Sequence, residues 1–137
     1  MRLNQVTVPA LDLEVSVSFY TRLGMTLIVD ALPGYARFAC PDGSTFSLHR
    51  VDRLPQGDGI WIYFECDDLD AEVARLEAAG MAWETRPEDQ SWLWREARLK
   101  DPDGNQLIFY FAGENRLNPP WRLSEAETAA RATGALR

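Results

Sequence analysis

Asp12-Leu13-Glu14-Val15-Ser16-Val17-Ser18-Phe19-Tyr20-Thr21-Arg22-Leu23-Gly24-Met25 decides the fold, because the chain states it twice. The second version runs from Asp68-Leu69-Asp70 to Ala79-Gly80-Met81, 56 positions further on. In each copy an Asp is set to cap the first free N–H groups of a helix. A Gly twelve positions later (Asp12 to Gly24, Asp68 to Gly80) is set to take the left-handed conformation that ends it. Leu13, Val17, Tyr20 and Leu23 share one stripe of the first helix. Pro41-Asp42-Gly43-Ser44 is echoed by Pro102-Asp103-Gly104-Asn105, a turn signature repeated at an offset of 61. Offsets of 56 and then 61 place a five-residue insertion in the second copy. The chain reads as two copies of one module followed by a tail.

Periodicity predicts the same order in both copies: a strand, a helix, then three strands. The first copy, residues 1–53, has strands over Leu3–Val8, Thr26–Asp30, Tyr35–Cys40 and Ser44–Val51, with a helix over Leu13–Leu23. Residues 54–59, with Pro55, Gly57 and Gly59, form a linker. The second copy, residues 60–111, has strands over Ile60–Cys66, Met81–Thr85, Leu93–Lys100 and Gln106–Phe111, with a helix over Leu69–Ala79. In the tail, residues 112–137, Asn118-Pro119-Pro120-Trp121 breaks the pattern, and Ser124 with Glu127 forms a capping box for a short Ala-rich helix.

Alternation separates two faces. Val6 and Val8, Phe46 and Leu48, Ile62, Phe64 and Cys66, and Leu107, Phe109 and Phe111 form an apolar set expected to pack on the helices. The opposite set is Gln5, Thr7, Ser47, His49, Trp61, Tyr63, Glu65, Ile108 and Tyr110. A sheet curled around that second face would line a cavity with it, and Trp92, Trp94, Glu96 and Arg98 continue the face on the adjoining strand. Three large rings on one face mark an interaction surface rather than a solvated one. A subunit interface is the other use such a face can have.

Composition narrows the function. A net charge of -7, from fourteen basic and twenty-one acidic residues, argues against a nucleic-acid partner and suits a neutral or cationic small-molecule ligand. No apolar run is long enough to span a membrane, and the N-terminus enters a strand pattern at once, so neither a membrane segment nor a signal peptide is expected. Cys40 and Cys66 form no Cys-x-x-Cys, which points to a reduced, cytoplasmic protein. With His49 as the only histidine, no site needing two imidazoles can be built in one chain. No nucleophile elbow, phosphate loop or dinucleotide fingerprint occurs.

The duplicated module, with Phe19-Tyr20-Thr21-Arg22-Leu23-Gly24, Tyr63 to Asp70 and Asp101-Pro102-Asp103-Gly104-Asn105, resembles the vicinal oxygen chelate superfamily. That is the group of glyoxalase I, bleomycin-resistance proteins and extradiol dioxygenases. The resemblance implies an α+β fold of two tandem βαβββ modules, whose mixed sheet curves around a cavity, commonly in a homodimer. It also implies that metal-dependent members draw ligands from the first and last strand of each module. Carried over, those places are Gln5, Ser47, Trp61 and Ile108. Trp and Ile donate nothing to a cation, and Gln and Ser donate weakly, so no metal and no cofactor are expected there.

His49, Glu65 and Glu96 could supply a displaced set of donors or acid–base groups, with Tyr63 a further acid–base candidate by location. Each also has a plain structural use: His49 as a hydrogen-bonded wall residue, Glu65 as a partner for Arg98 or Arg95. The expectation is a metal-free binding protein of the bleomycin-resistance kind, sequestering an antibiotic or other aromatic or cationic ligand. Its predicted lining is Gln5, Thr7, Ser47, His49, Trp61, Tyr63, Glu65, Trp94, Glu96, Ile108 and Tyr110. The alternative is a glyoxalase-like lyase, isomerase or dioxygenase using a displaced metal or metal-independent acid–base chemistry.

Overall fold

The structure, a computed structural model, describes residues 1–134; the last part of the expected tail, residues 135–137, lies outside the described residues. The first module is β1 (Gln5–Ala10), α1 (Leu13–Leu23), β2 (Thr26–Ala31), β3 (Tyr35–Ala39) and β4 (Thr45–Arg50). The second is β5 (Trp61–Glu65), α2 (Leu69–Ala78), β6 (Thr85–Asp89), β7 (Arg95–Lys100) and β8 (Gln106–Phe111). A 3-10 turn (Gly113–Arg116) and α3 (Glu125–Ala132) follow.

The repeat is visible at the level of single hydrogen bonds. Asp12 accepts from the N–H groups of Glu14 and Val15, and Asp68 accepts from that of Ala71. At the other end of α1, Gly24 donates to the Thr21 carbonyl and Met25 to that of Tyr20. Gly80 and Met81 repeat both bonds to Glu77 and Leu76. Gly24 and Gly80 sit at φ 107° and 90°, which a side chain would resist. The two turns match as well: Cys40 donates to Ser44 at 2.8 Å, and Asp101 to Asn105 at 3.0 Å.

Each module forms a mixed four-stranded sheet, ordered β1-β4-β3-β2 and β5-β8-β7-β6, with β1 parallel to β4 and β5 parallel to β8. The helices of both modules pack into one core that contains Tyr20, Phe38, Phe46, Leu48, Leu76, Leu99 and Leu107, all essentially unexposed. Truncating one such side chain, Leu76→Ala for example, costs about 2–5 kcal/mol. Arg75 of α2 donates from Nη2 to the Leu23 carbonyl at the end of α1 (3.3 Å), where a cation meets the negative end of a helix. Among the described residues no strand pair joins the two sheets, so they are left unclosed between the edges of β1 and β5.

Several expectations need correction. The first strand is Gln5–Ala10 rather than Leu3–Val8, and Leu3 is exposed. The strand expected over Met81–Thr85 lies at Thr85–Asp89 instead. Met81 is buried and Trp83 packs edge-on to Phe109, so the apolar character read as a strand comes from a loop that enters the core. Pro87 is accommodated because β6 is an edge strand with a register shift between Thr85 and Glu88. The strand expected over Leu93–Lys100 begins only at Arg95, since Leu93 has φ 67° and closes a turn. Phe111, expected on the core face, is 44% exposed.

The five inserted residues are thereby placed. Residues 81–84 precede β6 where Met25 alone precedes β2, and residues 90–94 join β6 to β7 where residues 32–34 join β2 to β3. Trp92 and Trp94 therefore belong to the longer turn of the second module, and the shorter turn of the first, Leu32-Pro33-Gly34, holds no aromatic residue.

Candidate ligand-binding face

The predicted lining residues divide between the two sheets. On the first sheet the face is polar. Thr45 Oγ1 donates to Gln5 Oε1 at 2.7 Å, and the hydroxyls of Thr7 and Ser47 are 2.5 Å apart. Tyr35 and Arg37 complete this face, with Arg37 Nε donating to the Tyr35 hydroxyl at 2.8 Å. Hydrogen bonding by Ser47, and then by Arg37, holds the Tyr35 phenol below its ordinary range. Tyr35 and Arg37 were not among the predicted residues. Their signal was available, since alternation along β3 puts both beside Ser47 and His49. His49 itself is exposed opposite Tyr35.

On the second sheet the face is aromatic. Trp94 stacks on Tyr110 with ring centroids 4.6 Å apart and planes at 17°. Tyr63 stands edge-on to both, at 5.9 Å from Trp94 and 5.6 Å from Tyr110. Offset stacks and edge contacts of this kind are the favoured arrangements of aromatic quadrupoles. Ile108, Tyr110 and Ala112 form a small apolar cluster under Trp94, separate from the main core. Burial raises the phenols of Tyr63 and Tyr110, with the charges of Glu96 and Glu65 adding respectively, so both hydroxyls remain protonated at neutral pH.

Glu96 is almost completely buried on this face, where it accepts from Trp92 Nε1 at 2.8 Å and from Arg98 Nη2 at 3.3 Å. The Arg98 guanidinium lies 5.2 Å from the centre of the Trp61 ring. Glu65 pairs with neither Arg98 nor Arg95; its neighbour is Arg116, at 3.8 Å. Arg95 instead binds Asp70 and Asp89, both at 3.0 Å. The tail also takes part, because Trp94 Nε1 donates to the Asn115 carbonyl at 3.2 Å. Neither Asn115 nor Arg116 was legible as a site residue, since both act across the fold.

Between the edges of β1 and β5 an open cleft of about 820 Å³ is lined by Leu3, Gln5, Val6, Trp61, Tyr63 and Glu65, among others, with Arg116 at its side. Trp61 and Tyr63 are nearly half exposed at this opening. Ser47 and Ile108, also expected in the lining, are fully buried and do not border this cleft.

The metal positions implied by the resemblance do not fit a cation. Ser47 is buried in its bond to Thr7, the Gln5 carbonyl oxygen is taken by Thr45, and Trp61 and Ile108 have no donor. The displaced set is not assembled either. His49 is on the first sheet, while Glu65 and Glu96 flank Tyr110 on opposite neighbouring strands, about 9–10 Å apart along the row. Among the described residues no group of three or more His, Cys, Asp or Glu could hold a metal ion.

Residues 2–109 match the Glyoxalase/Bleomycin resistance protein/Dioxygenase superfamily. The chain belongs to that superfamily. Among solved structures, it is similar to a glyoxalase/bleomycin resistance protein/dioxygenase from Nocardioides, with 27% identity over 90% of each chain and a TM-score of 0.73. It shares the fold of a bleomycin-binding protein complexed with bleomycin, with 21% identity over 81% of this chain and 98% of that one, and a TM-score of 0.66. A lactoylglutathione lyase from Agrobacterium tumefaciens also shares the fold, with 20% identity over 80% and 92% of the chains and a TM-score of 0.67. No curated protein matches the sequence. The superfamily match stops before the 3-10 turn and α3, so Asn115 and Arg116 come from outside its shared part. No helix among the described residues is long and apolar enough to cross a membrane.

Proposed function

We propose that this member of the superfamily is a metal-free binding protein that sequesters a planar aromatic, cationic small molecule of antibiotic type without converting it. The observation that carries this reading is the aromatic face of the second sheet. Trp94, Tyr110 and Tyr63 there form a preorganised stack beside the half-exposed ring of Trp61. Rigid rings held in place bind a planar ligand with little ordering cost. The superfamily's metal positions, held by Gln5, Ser47, Trp61 and Ile108, supply no donor set for chelate chemistry. The net charge of -7 favours cations in the surrounding field. A shared fold with a bleomycin-binding protein supports the class of ligand.

The working unit we propose is a homodimer. The support is the unclosed face between β1 and β5, where the exposed Leu3 and Ile60 would be covered by a second copy. The setting we propose is cytoplasmic, in line with two half-buried free thiols, Cys40 and Cys66. The test is titration of planar cationic aromatics and cationic glycopeptides against intrinsic tryptophan fluorescence. Saturable quenching at micromolar ligand is the expected result, and no saturable response from any of them would sink the reading.

A further inference from the structure

Among the described residues Glu96 is the one acidic side chain buried on the aromatic face, at 2% exposure, and a buried carboxylate demands partners. It has only two. Trp92 Nε1 is well placed at 2.8 Å, whereas Arg98 reaches it with a single nitrogen at 3.3 Å. Elsewhere in the chain the pair Arg86–Glu77 is bidentate, at 2.6 and 2.7 Å, although it lies exposed on the surface. The contact made by Arg98 is therefore the loose one, and the carboxylate retains acceptor capacity that a planar fork of N–H groups would fill.

Arg98 also lies over the Trp61 ring at 5.2 Å, within the range of a cation–π contact, and its side chain is 30% exposed. Its guanidinium thus rests between a buried carboxylate and an aromatic face with a way out to solvent. We propose that Arg98 is an internal stand-in for the ligand, and that the site is built for a guanidinium or amidinium group. When such a group enters, Arg98 swings outward, the ligand's paired N–H groups take Glu96, and its planar cation stacks on Trp61. Trp92 keeps the carboxylate oriented throughout. An ammonium has no planar fork and is the poorer fit. This inference rests on the binding reading above and names the charged group which that reading leaves open.

Benzamidine is the probe, with benzamide as its neutral counterpart and benzoate as its anionic one, each titrated by tryptophan fluorescence. The wild-type protein is expected to prefer benzamidine to benzamide. Arg98→Gln removes the competitor and is expected to tighten benzamidine about tenfold. Arg98→Met, which keeps the aliphatic stem, must show the same gain. Arg53→Gln, an equal charge change at an exposed position, must not. Adding Glu96→Gln to Arg98→Gln is expected to erase the preference over benzamide. Unchanged or weaker benzamidine binding in both Arg98 variants would overturn the proposal, as would benzoate binding that Arg98→Gln abolishes. Saturable binding of neutral aromatic probes with no gain for benzamidine would overturn this inference alone. No saturable aromatic binding of any kind would remove the underlying reading as well.

Discussion

The hydroxyl of Tyr20 donates to Oδ2 of Asp101 at 2.6 Å, tying helix α1 of the first module to the β7–β8 turn of the second. Asp101 also accepts from the backbone of Asp103 and Asn105 and from the Asn105 amide, so it organises the whole Asp-Pro-Asp-Gly-Asn turn. Asp103 in turn accepts from Ser16 and from the backbone of Leu11. The two most recognisable stretches of the sequence are thus in direct contact. The repeat does not duplicate this tie: the positions corresponding to Tyr20 and Asp101 are Leu76 and Cys40.

Tyr20→Phe is expected to destabilise the fold by about 1.5–3 kcal/mol, the range for a hydrogen bond to a charged acceptor. Burial, and then the Asp101 charge, push the Tyr20 phenol far up, so it donates throughout the working pH range. Urea denaturation followed by far-UV circular dichroism checks this. A midpoint equal to wild type would show that Asp101 is satisfied by the turn alone.

Cys66 supplies a pH dependence. Burial chiefly, with the charge of Glu72 next, raises its thiol from 9.0 to about 11. The folded state favours the neutral thiol, so this contribution to stability is whole below pH 9 and fades as pH rises toward 11. Alkylation by iodoacetamide should be slow at neutral pH and keep accelerating above pH 9. Mass spectrometry of the modified peptide reports it; a plateau below pH 9 would contradict the buried setting.

Trp94→Ala removes the plate that stacks on Tyr110. A loss of about 2 kcal/mol in stability is expected, less than for a fully buried Trp because its ring is partly exposed. Ligand-induced quenching should fall with it by at least about tenfold in affinity. Calorimetric titration separates the two effects, since a variant that stays folded yet binds normally would place the ligand elsewhere.

The tail divides into two functional parts. All residues of α3 lie at the surface among the described residues, so ending the chain after Leu117 should change stability by no more than about 0.5 kcal/mol. Ending it after Ala112 also removes the Asn115 carbonyl that holds Trp94 and the Arg116 beside Glu65. That shorter chain should show red-shifted tryptophan emission and weaker binding. Identical spectra from the two truncations would mean that Asn115 does not order Trp94.

Elemental analysis of tag-free protein, after incubation with nickel, zinc, iron and manganese, should find no near-stoichiometric ion. The reason is the donor chemistry of Gln5, Ser47, Trp61 and Ile108. One bound equivalent would restore the chelate reading and move attention to turnover.

Helix ends and turns were legible because their causes are local. Asp12, Gly24, Asp68 and Gly80 act through bonds to residues within a few positions, so their signal lies within a short stretch of chain. The strand near residue 85 starts later than periodicity predicts because Met81 and Trp83 owe their apolar character to the core they enter. The aromatic face is legible as a set of alternating rings, yet Trp92 and Trp94 lie before β7 and not in it, because Leu93 turns the chain between them.

What the sequence determined by itself is the duplicated α+β module, with helix ends at capping Asp residues and glycine turns, and the residues at the four places the resemblance singles out, where Trp61 and Ile108 offer a cation nothing and Gln5 and Ser47 little. What only the tertiary structure decided is partnership and burial. It sends Glu65 to Arg116 and Glu96 to Trp92 and Arg98, buries Ser47 and Ile108 completely, and leaves the sheets unclosed between β1 and β5. Capping and turn formation are settled within one or two helical turns of chain. The neighbour a charge meets, and the water it loses, depend instead on residues brought together from both modules and the tail.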